Sequence, residues 1–164
     1  MSEFYDLRLS ALDGSELPLN RFAGQVVLVV NVASQCGLTP QYEGLEALQQ
    51  RFGPEGFSVL GLPCNQFAGQ EPGTAVDIQG FCSARYGVTF PLAAKADVNG
   101  AERQPLYRLL AGEGATFPGD ITWNFEKFLI GRDGRVLARF SPRTLPQAPE
   151  VISAIEAALA EGPG

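Results

Sequence analysis

Val26-Val27-Leu28-Val29-Val30-Asn31-Val32, running on into Ala33-Ser34-Gln35-Cys36-Gly37-Leu38-Thr39-Pro40, is the stretch whose reading decides the fold. Its nearly unbroken apolar, β-branched run reads as a strand buried on both faces, and such strands belong to sheets covered by helices on both sides. A helix is predicted directly after it. Thr39 suits the N-cap, Pro40 suits the first helical position, and Leu45, Leu48 and Phe52 then fall on one face before Gly53-Pro54 ends the run. Cys36 is thereby placed at a helix N-terminus, where unpaired N–H groups and the positive end of the helix dipole favour a thiolate. Thr39 occupies the place of the second cysteine of a C-x-x-C motif, so any partner thiol has to come from elsewhere.

Reading outward, Phe57 to Leu62 is a second buried strand and Pro63 to Gly73 a loop rich in Gly, Pro, Asn and Gln. Thr74 to Tyr86 is predicted as a helix with Val76, Gly80 and Cys82 inside it, Gly80 weakening it by about 1 kcal/mol relative to alanine. A short helix is expected at Pro105 to Ala111. Phe125 to Ile130 and Arg135 to Phe140 flank Gly131-Arg132-Asp133-Gly134 as a hairpin, and Glu150 to Leu159 is an amphipathic helix. At the other end, Tyr5 to Leu9 and Glu16 to Leu19 form an N-terminal β-hairpin across Asp13-Gly14. The fold class is α/β, a central mixed β-sheet flanked by helices.

Composition narrows the function. The chain has 164 residues, enough for one domain spanning 1–164, and a net charge of −6 without any cluster of Lys or Arg. That balance argues against nucleic acid and anionic membrane surfaces, which need a basic face. The strongly apolar run Val26 to Val32 is far short of the roughly 20 residues of a membrane helix, and Met1 to Asp6 lacks a signal-peptide pattern. A soluble, cytoplasmic protein is expected. There is no histidine, which excludes Ser-His-Asp and Cys-His catalysis and any imidazole metal site. Three cysteines, at 36, 64 and 82, lack chelating spacing, so no metal and no cofactor is expected.

Loops at the carboxyl ends of neighbouring strands converge, which can bring Cys36, the Pro63 to Gly73 loop and the segment before Phe125 together. Those loops carry neutral donors: the Gln70 amide, the Trp123 indole N–H and the Asn124 amide. Such donors can stabilise a thiolate, and later a departing hydroxide or alkoxide, without a titratable base. The chemistry that fits is thiolate attack on a peroxide O–O bond, giving a sulfenic acid that a second thiol condenses with.

Three blocks carry a family resemblance: Asn31-Val32-Ala33-Ser34-Gln35-Cys36-Gly37-Leu38-Thr39, Pro63-Cys64-Asn65-Gln66-Phe67-Ala68-Gly69-Gln70-Glu71-Pro72 and Trp123-Asn124-Phe125-Glu126-Lys127-Phe128. Together they resemble the signature blocks of the glutathione peroxidase family, in order and over about Phe4 to Leu159. The resemblance implies a thioredoxin-like fold, Cys36 as the peroxidatic residue, and Gln70, Trp123 and Asn124 as the rest of a catalytic tetrad. A fourth block, Phe81-Cys82-Ser83-Ala84-Arg85-Tyr86-Gly87-Val88-Thr89-Phe90-Pro91, is similar to that of the cysteine-containing members of yeasts, plants and bacteria. It implies Cys82 as the resolving cysteine and thioredoxin as the reductant of the resulting disulfide. The short stretch between Leu110 and Trp123 is similar to the monomeric members. Ala68 departs from the family, most of whose members have glycine there; a positive φ at that position would cost the alanine roughly 1 kcal/mol.

Against these readings stand plainer ones. Cys64 is expected to be structural, and Glu71 and Lys127 to serve surface pairs or loop caps. A glutathione-dependent peroxidase that does not need Cys82, and a peroxide sensor relaying its disulfide to a partner protein, are the alternative functions. A disulfide needs Cα atoms about 4.4–6.8 Å apart, so a cysteine in mid-helix is expected to reach Cys36 only if the Thr74 to Tyr86 helix unwinds locally.

Overall fold

The computed structural model describes residues 3–161; the expected span of 1–164 runs beyond these at both ends. Strand β3 (Val26–Val32) is buried along its whole length. It pairs in parallel with β4 (Phe57–Pro63) and antiparallel with β5 (Lys127–Ile130), which pairs antiparallel with β6 (Val136–Phe140), giving the order β4-β3-β5-β6. The sheet is therefore mixed. A separate two-stranded antiparallel hairpin, β1 (Arg8–Ser10) with β2 (Glu16–Pro18), precedes it.

Because successive strand side chains point to opposite faces, β3 feeds two cores. Val26, Leu28, Val30 and Val32 pack with Tyr42, Leu45, Leu48 and Phe52 of α2 (Gln41–Phe52), Ile78 of α3 (Ala75–Phe81) and Val151 and Ile155 of α5 (Pro149–Ala160). Val27 and Val29 pack with Phe4 of α1 (Glu3–Asp6), Leu17 of β2 and Leu106, Tyr107 and Leu110 of α4 (Pro105–Ala111). Each fully buried aliphatic or aromatic side chain contributes about 1.5–3 kcal/mol, so both faces of β3 are anchored where it delivers the chain to Cys36.

Several elements differ from expectation for local reasons. Residues 3–6 are helical, not extended, because Phe4 is wholly buried and the Tyr5 hydroxyl donates to the Arg132 carbonyl at 2.6 Å. Helix α2 starts at Gln41 with no side-chain cap; the Thr39 hydroxyl is engaged elsewhere, as described below. The Thr74 to Tyr86 helix is not uniform. Thr74 and Asp77 form a capping box at its start, α3 ends at Phe81, and Cys82–Tyr86 continue as a π-helical turn closed by Gly87 in the left-handed conformation. Strand β5 starts two residues later than its apolar run suggests, since Phe125 has φ 69°.

Candidate active site

The turn after β3 is built around Thr39. Its hydroxyl accepts the Cys36 N–H at 2.9 Å and donates to the Ala33 carbonyl at 2.8 Å, while the Thr39 N–H donates to the Cys36 carbonyl at 3.0 Å. Thr39 thus closes the turn that presents the thiol and does not cap α2. The donor reaching Cys36 is likewise not a helix N–H: Leu38 N–H, inside the turn, lies 3.2 Å from Cys36 Sγ.

Cys36 is nearly buried, yet it lines an open pocket of about 740 Å³ together with Leu38, Gln70, Trp123, Pro142 and Arg143. Gln70 is tied to the cysteine turn through the Gln35 N–H, which donates to the Gln70 carbonyl at 3.0 Å. Asn124 is fully buried and donates from Nδ2 to Gln70 Oε1 at 3.0 Å. With its oxygen so engaged, Gln70 retains its Nε2 donor for the pocket. Trp123 packs its ring on Phe67 at 5.7 Å between centroids. Of the residues singled out in the sequence, Cys36, Gln70 and Trp123 share one pocket and Asn124 sits directly behind Gln70.

Cys82 is elsewhere in the same core. It is fully buried in the cluster that contains Cys36, at the start of the π-helical turn, and is a free thiol. Burial pushes the Cys82 thiol above its ordinary value, the neighbouring Tyr42 hydroxyl opposes that, and the charge of Glu71 adds to it. Cys64 is also buried and free, but it belongs to the core on the opposite face of the sheet, where burial raises its thiol as well. The sheet therefore separates Cys64 from the core shared by Cys36 and Cys82.

Two residues expected at the surface are buried. Glu71 is 1% exposed, its N–H donates to Asn65 Oδ1 at 2.8 Å, and burial raises its carboxyl against the opposing effects of Ser34 and Lys95. Loop capping falls to Lys95, whose Nζ donates to the Glu71 and Gly73 carbonyls at 3.0 and 2.7 Å. Lys127 is wholly buried in β5, and desolvation lowers its amine to about 7, opposed by Glu126. The sequence did carry a signal for it, a lysine set inside the apolar run Phe125 to Ile130.

Ala68 has φ 58°, in the left-handed region. An Ala68→Gly protein is expected to be more stable by about 1 kcal/mol, which for a chain of this size is a rise of roughly 2–4 °C in the melting midpoint. A midpoint that stays level or falls by calorimetry would contradict that reading of the loop.

The family model described as "Glutathione peroxidase" matches residues 4–111 of the chain. The chain belongs to the glutathione peroxidase family. It is accordingly a thiol peroxidase, an oxidoreductase acting on peroxide. Among curated relatives, the thioredoxin/glutathione peroxidase BtuE of Escherichia coli is 47% identical, covering 92% of this chain and 93% of the relative. The hydroperoxy fatty acid reductase Gpx2 of Synechocystis is 53% identical, covering 92% and 96%. The crystal structure of T. cruzi GPX1 superposes with a TM-score of 0.73 at 36% identity, covering 95% of each chain. A thioredoxin-family thiol:disulfide interchange protein from Chlorobium tepidum superposes with a TM-score of 0.71 at 18% identity, over 97% of each chain. That likeness establishes the thioredoxin-like fold of this glutathione peroxidase family member. Among the described residues no cluster of potential metal ligands occurs, and no helix is long and apolar enough to cross a membrane.

Proposed function

We propose that this peroxidase reduces hydrogen peroxide and organic hydroperoxides through Cys36, resolves the product with Cys82, and is returned to the dithiol by thioredoxin. The observation that carries the reading is Cys36 Sγ, held by the Leu38 N–H in a pocket it shares with Gln70 and Trp123. In the first step the Cys36 thiolate attacks one peroxide oxygen and the O–O bond breaks. Cys36 becomes a sulfenic acid, and the departing hydroxide or alkoxide takes a proton to leave as water or alcohol. Gln70 Nε2 and the Trp123 indole N–H stabilise the charge that develops on the leaving oxygen, and Asn124 holds Gln70 in place.

In the second step Cys82 gives up its proton, its sulfur bonds to that of Cys36, and the sulfenic oxygen leaves as water. Cys82 starts this step buried and protonated, and we expect the π-helical turn to open as the sulfurs meet. π-helical turns recur at functional sites, and Gly80, with open space around its Cα, is the weak point of α3. A dithiol then reduces the disulfide by exchange. The names of BtuE and Gpx2 support thioredoxin as donor and fatty acid hydroperoxides among the substrates. We also place the protein in the cytoplasm as a single-domain monomer.

Peroxide-dependent NADPH oxidation, run with the thioredoxin system and with the glutathione system on the same protein, tests the donor. Turnover with thioredoxin is expected. Turnover with glutathione alone would reduce Cys82 to a structural thiol.

A further inference from the structure

The segment Trp123-Asn124-Phe125 is strained and clamped from two sides. Phe125 holds φ 69°, a conformation that is strained for a bulky residue and persists only where its surroundings enforce it. On one side stands Asn31, fully buried near the end of β3. Its Nδ2 donates to the Trp123 carbonyl at 3.0 Å, and its own carbonyl accepts the Phe125 N–H at 2.6 Å, so it grips the chain on both sides of Asn124. On the other side Lys127 Nζ donates to the Phe125 carbonyl at 2.6 Å and reaches the Pro142 and Ser141 carbonyls at 3.3 and 3.4 Å. Ser141 and Pro142 line the pocket of Cys36. A fully buried lysine is a costly way to fix backbone unless its geometry is needed.

We propose that Lys127 and Asn31 are positioning residues of the peroxidatic site, fixing Trp123 and Asn124, and the Ser141-Pro142 wall, against Cys36 and Gln70. Neither touches the reacting atoms; both act through the backbone of residues that face the pocket. The proposal rests on Cys36 as the peroxide-reactive thiol. An ammonium supplies three N–H donors to the three carbonyls, whereas the neutral amine supplies two and turns a lone pair on the third. With its amine lowered to about 7, Lys127 makes this grip sensitive to pH near neutrality. Among the described residues the charge acting on it is that of Glu126, itself paired with Arg139, and its neighbour at the Pro142 carbonyl, Gln41, is neutral.

The test uses the single tryptophan of the chain, Trp123, as its own reporter. Stopped-flow oxidation of Lys127→Met by hydrogen peroxide is expected to be at least about tenfold slower than wild type, against a melting midpoint at pH 7 within about 5 °C of it. Lost rate with retained stability separates positioning from a merely structural role. A rate within twofold of wild type would overturn the proposal, and an unreactive wild-type Cys36 would instead overturn the functional reading beneath it. Should Lys127→Met not fold, Asn31→Ala is measured in the same way, with the same tenfold loss expected and a rate within twofold of wild type overturning the proposal.

Discussion

Serine at position 36 is expected to lower peroxide consumption by at least about a thousandfold, a barrier increase of roughly 4 kcal/mol. The reason is the nucleophile. A serine hydroxyl in the same turn accepts the same Leu38 N–H but stays protonated at neutral pH, and no histidine exists in the chain to deprotonate it. Gln70, Trp123 and Asn124 carry neutral hydrogen-bond donors, and none is a base. The fold should tolerate the change, because Thr39 holds the turn through the backbone of residue 36 and not through its side chain. Steady-state peroxide loss and far-UV circular dichroism, measured on the same preparation, check both halves. Retention of even a tenth of wild-type turnover would move the reactive group to another residue.

Cys82→Ser is expected to divide the cycle. Oxidation of Cys36 by the first equivalent of peroxide should proceed at about the wild-type rate, whereas turnover with thioredoxin should fall by at least about a hundredfold, since the sulfenic acid has no second thiol to condense with. Cys64 is a poor substitute because it lies in the core on the far face of the sheet. Stopped-flow oxidation and thioredoxin-coupled turnover separate the two steps. In the wild type, closure of the disulfide is expected to draw Cys82 out of its π-helical turn, and the oxidised protein to show less helical dichroism than the reduced one. Identical spectra would mean that the two sulfurs meet without unwinding. Normal thioredoxin turnover of Cys82→Ser would assign the resolving role elsewhere.

The parts of the fold that the sequence discloses are those where one physical demand acts on each residue. Val26 to Val30 and Phe57 to Leu62 have only to be buried, and the structure buries them. At the site, residues answer to two demands, and local rules choose the wrong one. Thr39 has the chemistry of an N-cap, but its hydroxyl is taken by Cys36 N–H and Ala33 carbonyl. Lys127 has the composition of a surface residue, but the carbonyls of Phe125, Ser141 and Pro142 engage its amine in the interior. A helical pattern over Thr74 to Tyr86 does not distinguish an α-helix from one that ends in a π-helical turn, since both put the same residues on nearly the same face. By their own chemistry Gln70, Trp123 and Asn124 read as neutral donors in loops, and the family resemblance alone marks them as a set; how Asn124 engages Gln70 is a tertiary fact.

Everything proposed for the cycle rests on Cys36 and Cys82 as the working pair. Reduced protein treated with one equivalent of hydrogen peroxide, blocked with an alkylating agent and digested, resolves it by mass spectrometry of the linked peptides. Cys36 joined to Cys82, with Cys64 alkylated, is the expected result. A Cys36 to Cys64 link, or Cys36 carrying the sulfenic oxygen while Cys82 remains alkylated, would contradict it.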